Sequence, residues 1–276
     1  IAQLIRALPW HGRGPGFESL YLHQIFVMQV VVNDLLTQYE KQGSGPVALF
    51  LHGWGDNAAT FKPLVNRLRS DFTCISLDLP GFGGSQTPLE SWSLPDYAEF
   101  AQDFLKKTKL IPEYVCGHSN GGSILIYGLA HALLNPQKLV LLASAGIRTE
   151  DSLKKGVYKI VAKIGKQLTR ILPKPIQQRL RRQLYQSAGS DILISPHLEE
   201  TFKKVVSYDV QKEAAEITQP TLLVYAKDDL ATPVRYGETF HHLIKSSTLR
   251  VLPDGGHFTH QTKTDQVARL IKDFWV

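Results

Sequence analysis

The chain has 276 residues, 43% hydrophobic and 20% charged, enough to bury a sizeable core in one large domain or one domain carrying an insertion. That balance excludes a disordered, collagenous or disulfide-stapled chain. The longest apolar runs, Ile25 to Val32 and Leu139 to Ile147, are less than half of the roughly 20 residues a bilayer-spanning helix needs. Net charge is +6 but unevenly spread: between Arg148 and Tyr185 stand eleven Lys or Arg against two acids, Glu150 and Asp151, leaving the rest of the chain about −3. This pattern argues against a general nucleic-acid binder and for one locally basic element.

In chain order, residues 1–27 come first. Pro9, Gly12, Gly14, Pro15 and Gly16 interrupt any helix or strand period, and Arg6, Arg13 and Glu18 leave no apolar core for a signal peptide. The sole methionine, Met28, directly precedes a strand-like run, Gln29 to Val32. The reading is a natural start at Met28, with residues 1–27 a non-native or disordered extension, and a cytoplasmic protein without stable membrane insertion. After a polar turn at Gly43-Ser44-Gly45, short apolar runs alternate with helical patterns, the signature of a mostly parallel sheet with helices on both faces. Strands are expected at Val47 to His52, Cys74 to Leu79, Tyr114 to Gly117, Lys138 to Ala143, Thr221 to Ala226 and Thr248 to Leu252. Helices are expected at Ala58 to Leu68, Pro95 to Thr108, Asn120 to Leu134, Arg235 to His242 and Thr264 to Phe274. Cys74 and Cys116 lie inside apolar runs and read as small core residues.

The alternation fails between Ile147 and about Gln219. There Val157, Ile160, Val161, Ile164, Leu168 and Ile171 recur at helical spacing with lysines opposite; Pro173 and Pro175 break the run, and a second follows from Gln177 to Tyr185. Residues 28–146 and 217–276 therefore form the core, and residues 147–216 an inserted helical cap.

Gly117-His118-Ser119-Asn120-Gly121 follows an expected strand and opens an expected helix, the setting a G-x-S-x-G nucleophile elbow requires. A serine hydroxyl needs a general base, usually a histidine oriented by a carboxylate. His257, in the Gly255-Gly256-His257-Phe258 loop after the last expected strand, is the candidate base, ahead of His260. Asp228 and Asp229 both close the strand Thr221 to Ala226; Asp229 is favoured as the orienting acid, with Asp228 left as a turn former or helix cap. His52-Gly53-Trp54-Gly55 follows the first buried strand, so the backbone N–H groups of Trp54 and Asn120 are the candidate oxyanion donors. His52 reads as a loop brace, and Trp54 as either a pocket wall or core.

From Met28 to Val276 the chain resembles the serine-dependent α/β-hydrolase superfamily, through HGWG at 52–55, DLPGFGGS at 78–85, GHSNGG at 117–122, DDLATP at 228–233 and GGHF at 255–258. The resemblance implies the α/β-hydrolase fold, the order Ser119, Asp229, His257, and a structural turn at Asp78, Gly81, Gly83 and Ser85. Serine at 119 argues against the epoxide hydrolase and haloalkane dehalogenase branches, while Ala226 stands where relatives often carry glycine, which keeps Asp228 open beside Asp229. The activity implied is carboxylic ester hydrolysis on a small-molecule substrate through an acyl-enzyme. Rivals are a carbon–carbon bond hydrolase or thioesterase with the same triad, and a non-catalytic binding module on the same fold. No cofactor is implied, since neither G-x-x-x-x-G-K-[ST] nor H-E-x-x-H occurs, and His257 with His260 lacks a third ligand nearby for a metal. The basic cap reads first as a solvated helix face roofing the acyl pocket. Two other readings are docking of an acidic carrier protein, as in pimeloyl-acyl-carrier-protein methyl ester esterases, which share HGWG, and association with an anionic surface.

Overall fold

Short apolar runs, buried on both faces, supply the central strands of the sheet. The structure, a computed structural model, describes residues 26–148 and 198–276. Within them lie β1 (Phe26–Val32), β2 (Leu35–Gln42), β3 (Val47–Leu51), β4 (Thr73–Leu77), β5 (Tyr114–His118), β6 (Lys138–Leu142), β7 (Thr221–Ala226) and β8 (Ser247–Leu252). They form one sheet in the order β1-β2-β4-β3-β5-β6-β7-β8. β1 and β2 are an antiparallel hairpin turning at Asn33 and Asp34, both at positive φ, which these two side chains tolerate better than most. β2 runs antiparallel to β4, and from β4 to β8 every neighbouring pair is parallel. β1 already includes Phe26 and Val27, two residues ahead of Met28; residues 1–25 lie outside the described residues.

Parallel neighbours require crossovers, and the helices supply them. A 3₁₀ turn (Ala58–Phe61) runs into α1 (Lys62–Leu68); then come α2 (Leu94–Thr108), α3 (Asn120–Ala130), α4 (Glu199–Ser207), α5 (Gln211–Ala215), α6 (Val234–Leu243), α7 (Thr259–Thr262) and α8 (Thr264–Trp275). The period-two alternation divides the core. Leu49, Leu51, Val115, Leu139, Leu141, Leu223 and Tyr225 face α2, α3 and α6, whereas Ala48, Phe50, Cys116, Val140, Leu142 and Val224 face α1 and α8. On the second face Phe50 meets Phe61 and Trp275 at ring distances of 5.3 and 6.0 Å. Both cysteines are buried free thiols.

Two expected element ends shift by more than one residue, for local reasons. β4 ends at Leu77 rather than Leu79: the chain turns at Asp78, whose carboxylate accepts the amides of Ala58 and Gly84 at 2.6 and 2.8 Å. α3 stops at Ala130 rather than Leu134: Ala132 turns left-handed, and the amides of Leu133 and Leu134 both return to the Gly128 carbonyl. The cap helices expected within Val157 to Ile171 and Gln177 to Tyr185 lie outside the described residues. Of the segment 147–216, the described part includes α4 and α5, and α4 leans on the core through Thr201, whose hydroxyl accepts the Trp92 amide at 3.0 Å.

Candidate active site

β5 ends at His118 and α3 begins at Asn120, so the whole reversal falls on Ser119, at φ 50° and ψ −117°. A side-chain-bearing residue rarely adopts that conformation, and it persists only where its surroundings enforce it. Here the Ser119 amide donates to the Leu142 carbonyl at 3.0 Å, and its own carbonyl accepts from Ala145 at 3.1 Å, pinning the turn to the end of β6. The glycines allow the approach: a Cβ on Gly117 would lie 2.6 Å from Gly122 Cα, and one on Gly121 would strike the Leu51 carbonyl. The half-buried Ser119 hydroxyl caps nothing in α3 and has no hydrogen-bond partner among the described residues.

Past β7 the two aspartates diverge. Asp229 is buried and its Oδ2 lies 2.9 Å from His257 Nδ1, while its Oδ1 accepts the amides of Ala231 and Thr232 at 2.8 and 3.0 Å. The Thr232 hydroxyl donates to Asp229 Oδ2 at 2.7 Å and sits 3.1 Å from His257 Nδ1. Burial pushes the Asp229 carboxyl up, but the hydrogen bond and charge of His257, joined by the Thr232 donors, outweigh it and hold the group below the usual carboxylate value. Asp228 is exposed and turns the other way, accepting the amides of Gly256 and Gly255 at 2.8 and 3.3 Å, which lower its pKa.

With His257 Nδ1 engaged by Asp229, Nε2 is the nitrogen left for a substrate or nucleophile. The His257 side chain keeps 20% of its surface exposed while that of Asp229 keeps none, so the imidazole can meet a ligand and the carboxylate can only act through it. Asp229 and His257 are thus joined directly; Ser119 and His257 are neighbours through His118, whose ring centroid lies 4.7 Å from that of His257, without a hydrogen bond between them. Such bonds are often loose before substrate enters.

The loop after β3 approaches the same point. A Cβ on Gly53 would lie 3.2 Å from Ser119 Cβ, which places the next residue, Trp54, beside the elbow. The backbone N–H groups of Trp54 and Asn120 donate to no acceptor among the described residues. His52 braces this loop: its Nδ1 donates to the Gly53 carbonyl at 2.8 Å and its Nε2 accepts the Leu79 amide at 3.0 Å, with burial lowering its pKa. The Trp54 indole packs against Phe82 and, on α4, Phe202, with centroids 5.0 and 5.1 Å away. The expected turn is also present: Ser85 Oγ donates to the Asp78 carbonyl at 2.7 Å. Sequence reasoning missed Thr232, although its place three residues after a strand-end aspartate and just before Pro233 is the signal of a side chain closing a turn. It also missed His118.

An eight-stranded, mostly parallel sheet with these loops gathered at the carboxyl ends of its strands defines an α/β hydrolase. The alpha/beta hydrolase family matches residues 48–270, and the chain belongs to that family. It is 28% identical to AB hydrolase superfamily protein YisY of Bacillus subtilis, over 85% of this chain and 93% of that one. It is 27% identical to a pimeloyl-[acyl-carrier protein] methyl ester esterase of Neisseria meningitidis, over 81% of this chain and 75% of that one. Among solved structures it is similar to an esterase from Exiguobacterium antarcticum, with TM-score 0.71, 22% identity and coverage of 91% and 99%. No helix among the described residues is long and apolar enough to cross a membrane.

Proposed function

We propose that the protein hydrolyses carboxylic esters through an acyl-enzyme on Ser119. The observation carrying this reading is the 2.9 Å pairing of His257 Nδ1 with the buried carboxylate of Asp229, beside a serine held in a strained turn with its hydroxyl uncommitted. As Ser119 Oγ bonds the ester carbonyl carbon, its proton passes to His257 Nε2, and the carbonyl π pair moves onto oxygen. The amides of Trp54 and Asn120 stabilise that oxyanion; one such donor is worth about 3 to 4 kcal/mol of activation energy elsewhere. The imidazolium, stabilised by Asp229, returns the proton to the departing alkoxide as the carbon–oxygen bond breaks. Water then repeats the sequence on the acyl-serine and regenerates the free hydroxyl.

The relationship to an esterase acting on a carrier-bound methyl ester, together with the basic run between Arg148 and Tyr185, supports an acyl chain presented by an acidic carrier protein as one substrate form. The direct test is intact-protein mass after a serine-directed fluorophosphonate, for the wild type and Ser119→Ala, beside turnover of a nitrophenyl ester series. One adduct on the wild type alone, with ester turnover, is the expected result. An unlabelled wild type that turns over no ester would overturn the assignment.

A further inference from the structure

The Gly255-Gly256-His257 loop has little stiffness of its own, since both glycines sit at positive φ, 129° and 61°, where backbone freedom is greatest. Something outside the loop must hold it for His257 to keep its aim. Asp228 grips the two glycine amides from one side. On the other side His118, one residue before Ser119, points its Nε2 at the His257 carbonyl oxygen, 2.9 Å away. A carbonyl can only accept, so Nε2 carries the proton and Nδ1 is bare. That Nδ1 is buried with no partner among the described residues, against the oxyanion loop: a Cβ on Gly53 would come within 3.0 Å of it. The ring is also flanked by Phe258 and His260, with centroids 5.1 and 4.5 Å away.

We infer that His118 is a positioning residue that ties the elbow, the oxyanion loop and the histidine loop into one register by donating Nε2–H to the His257 carbonyl. The inference rests on the reading of Ser119 and His257 as the reacting pair. Burial, followed by the charges of His260 and His257, holds the His118 pKa well below the ordinary imidazole value, so the ring stays a single donor while His257 gains and loses its proton. The orphaned Nδ1 fits this role: on that side the ring lies against Gly53, where an added Cβ would come within 3.0 Å of it, and the fold bears the cost of leaving that acceptor dry.

The test compares His118→Phe, which keeps an apolar ring of similar size but no donor, with His118→Gln, whose amide N–H can reach the same carbonyl. His118→Phe should label with fluorophosphonate and turn over nitrophenyl ester about 10- to 100-fold more slowly, through kcat with KM little changed, the scale expected of a misaligned catalytic group. His118→Gln should recover most of that loss. Equal losses in both variants, a loss confined to KM, or a His118→Phe protein as fast as wild type would overturn the role. Nitrogen-15 NMR of the histidine-labelled protein adds a second readout: the ring whose signals disappear in His118→Gln should hold the Nε2–H tautomer unchanged from about pH 8 to pH 5. An Nδ1–H tautomer at that ring, or its protonation within this range, would refute the inference. A wild type that is neither labelled nor active would instead refute the esterase reading.

Discussion

Acidifying the protein from about pH 7 to pH 5 should loosen the fold well before its carboxylates titrate, because His52, His118 and His260 are all buried. His260 allows the effect to be sized. Its ring is fully buried on α7, 3.1 Å from the Thr60 hydroxyl, and faces Phe61, His118 and Phe258, none of which offers a negative charge to hold a proton. Burial, with His257 adding to it, brings its pKa down to about 3. An unfolded histidine protonates near pH 6.5, so between those values the unfolded chain binds the extra proton. The contribution of His260 is therefore complete above about pH 6.5 and is lost as the pH falls toward 3. Integrated from pH 7 to 5 it amounts to about 2 kcal/mol, a sizeable part of a margin of roughly 5 to 15. His52 and His118 are shifted in the same direction, chiefly by burial, and add to the loss. Asp229 does not contribute in this window: with its pKa below the ordinary carboxylate value, its stabilisation is present above about pH 4 and lost only below that. Urea unfolding followed by circular dichroism at three pH values, for the wild type and His260→Gln, gives the answer. The variant should lose about 2 kcal/mol less than the wild type across the range. Parallel losses in the two proteins would refute the reasoning.

Two further outcomes follow from the site. Asp229→Asn should lower kcat by up to about 10⁴-fold by disturbing the tautomer and orientation of His257, whereas Asp228→Ala, which frees only the glycine amides, should cost about 10- to 100-fold. A reversed order in steady-state assays would exchange their roles. If the basic run between Arg148 and Tyr185 docks an acidic carrier by charge, activity on a carrier-linked ester should fall as salt rises past the point where the screening length drops to roughly 8 Å, while hydrolysis of a free nitrophenyl ester should hold steady. Equal salt responses would remove the carrier from the proposal.

Much of this architecture is local enough to be read from the chain. A strand such as Val47–Leu51 or Thr221–Ala226 is an apolar run of the right length between polar breaks, and burial on both faces of a parallel sheet demands that pattern whatever the neighbours are. The elbow is equally legible, because the approach of Gly121 to the Leu51 carbonyl admits no side chain and so leaves a glycine in the sequence. Tertiary structure decided what depends on direction rather than type. Asp228 and Asp229 share one sequence context, and only the turn after β7 sends one carboxylate out to Gly255 and Gly256 and the other inward to His257. His118 reads along the chain as an unremarked residue beside a serine; its bond to a carbonyl 139 positions away exists because β5 and the loop after β8 end on the same rim of the sheet. Residue type and period thus determine which elements form, while partners far apart in sequence are settled by packing alone.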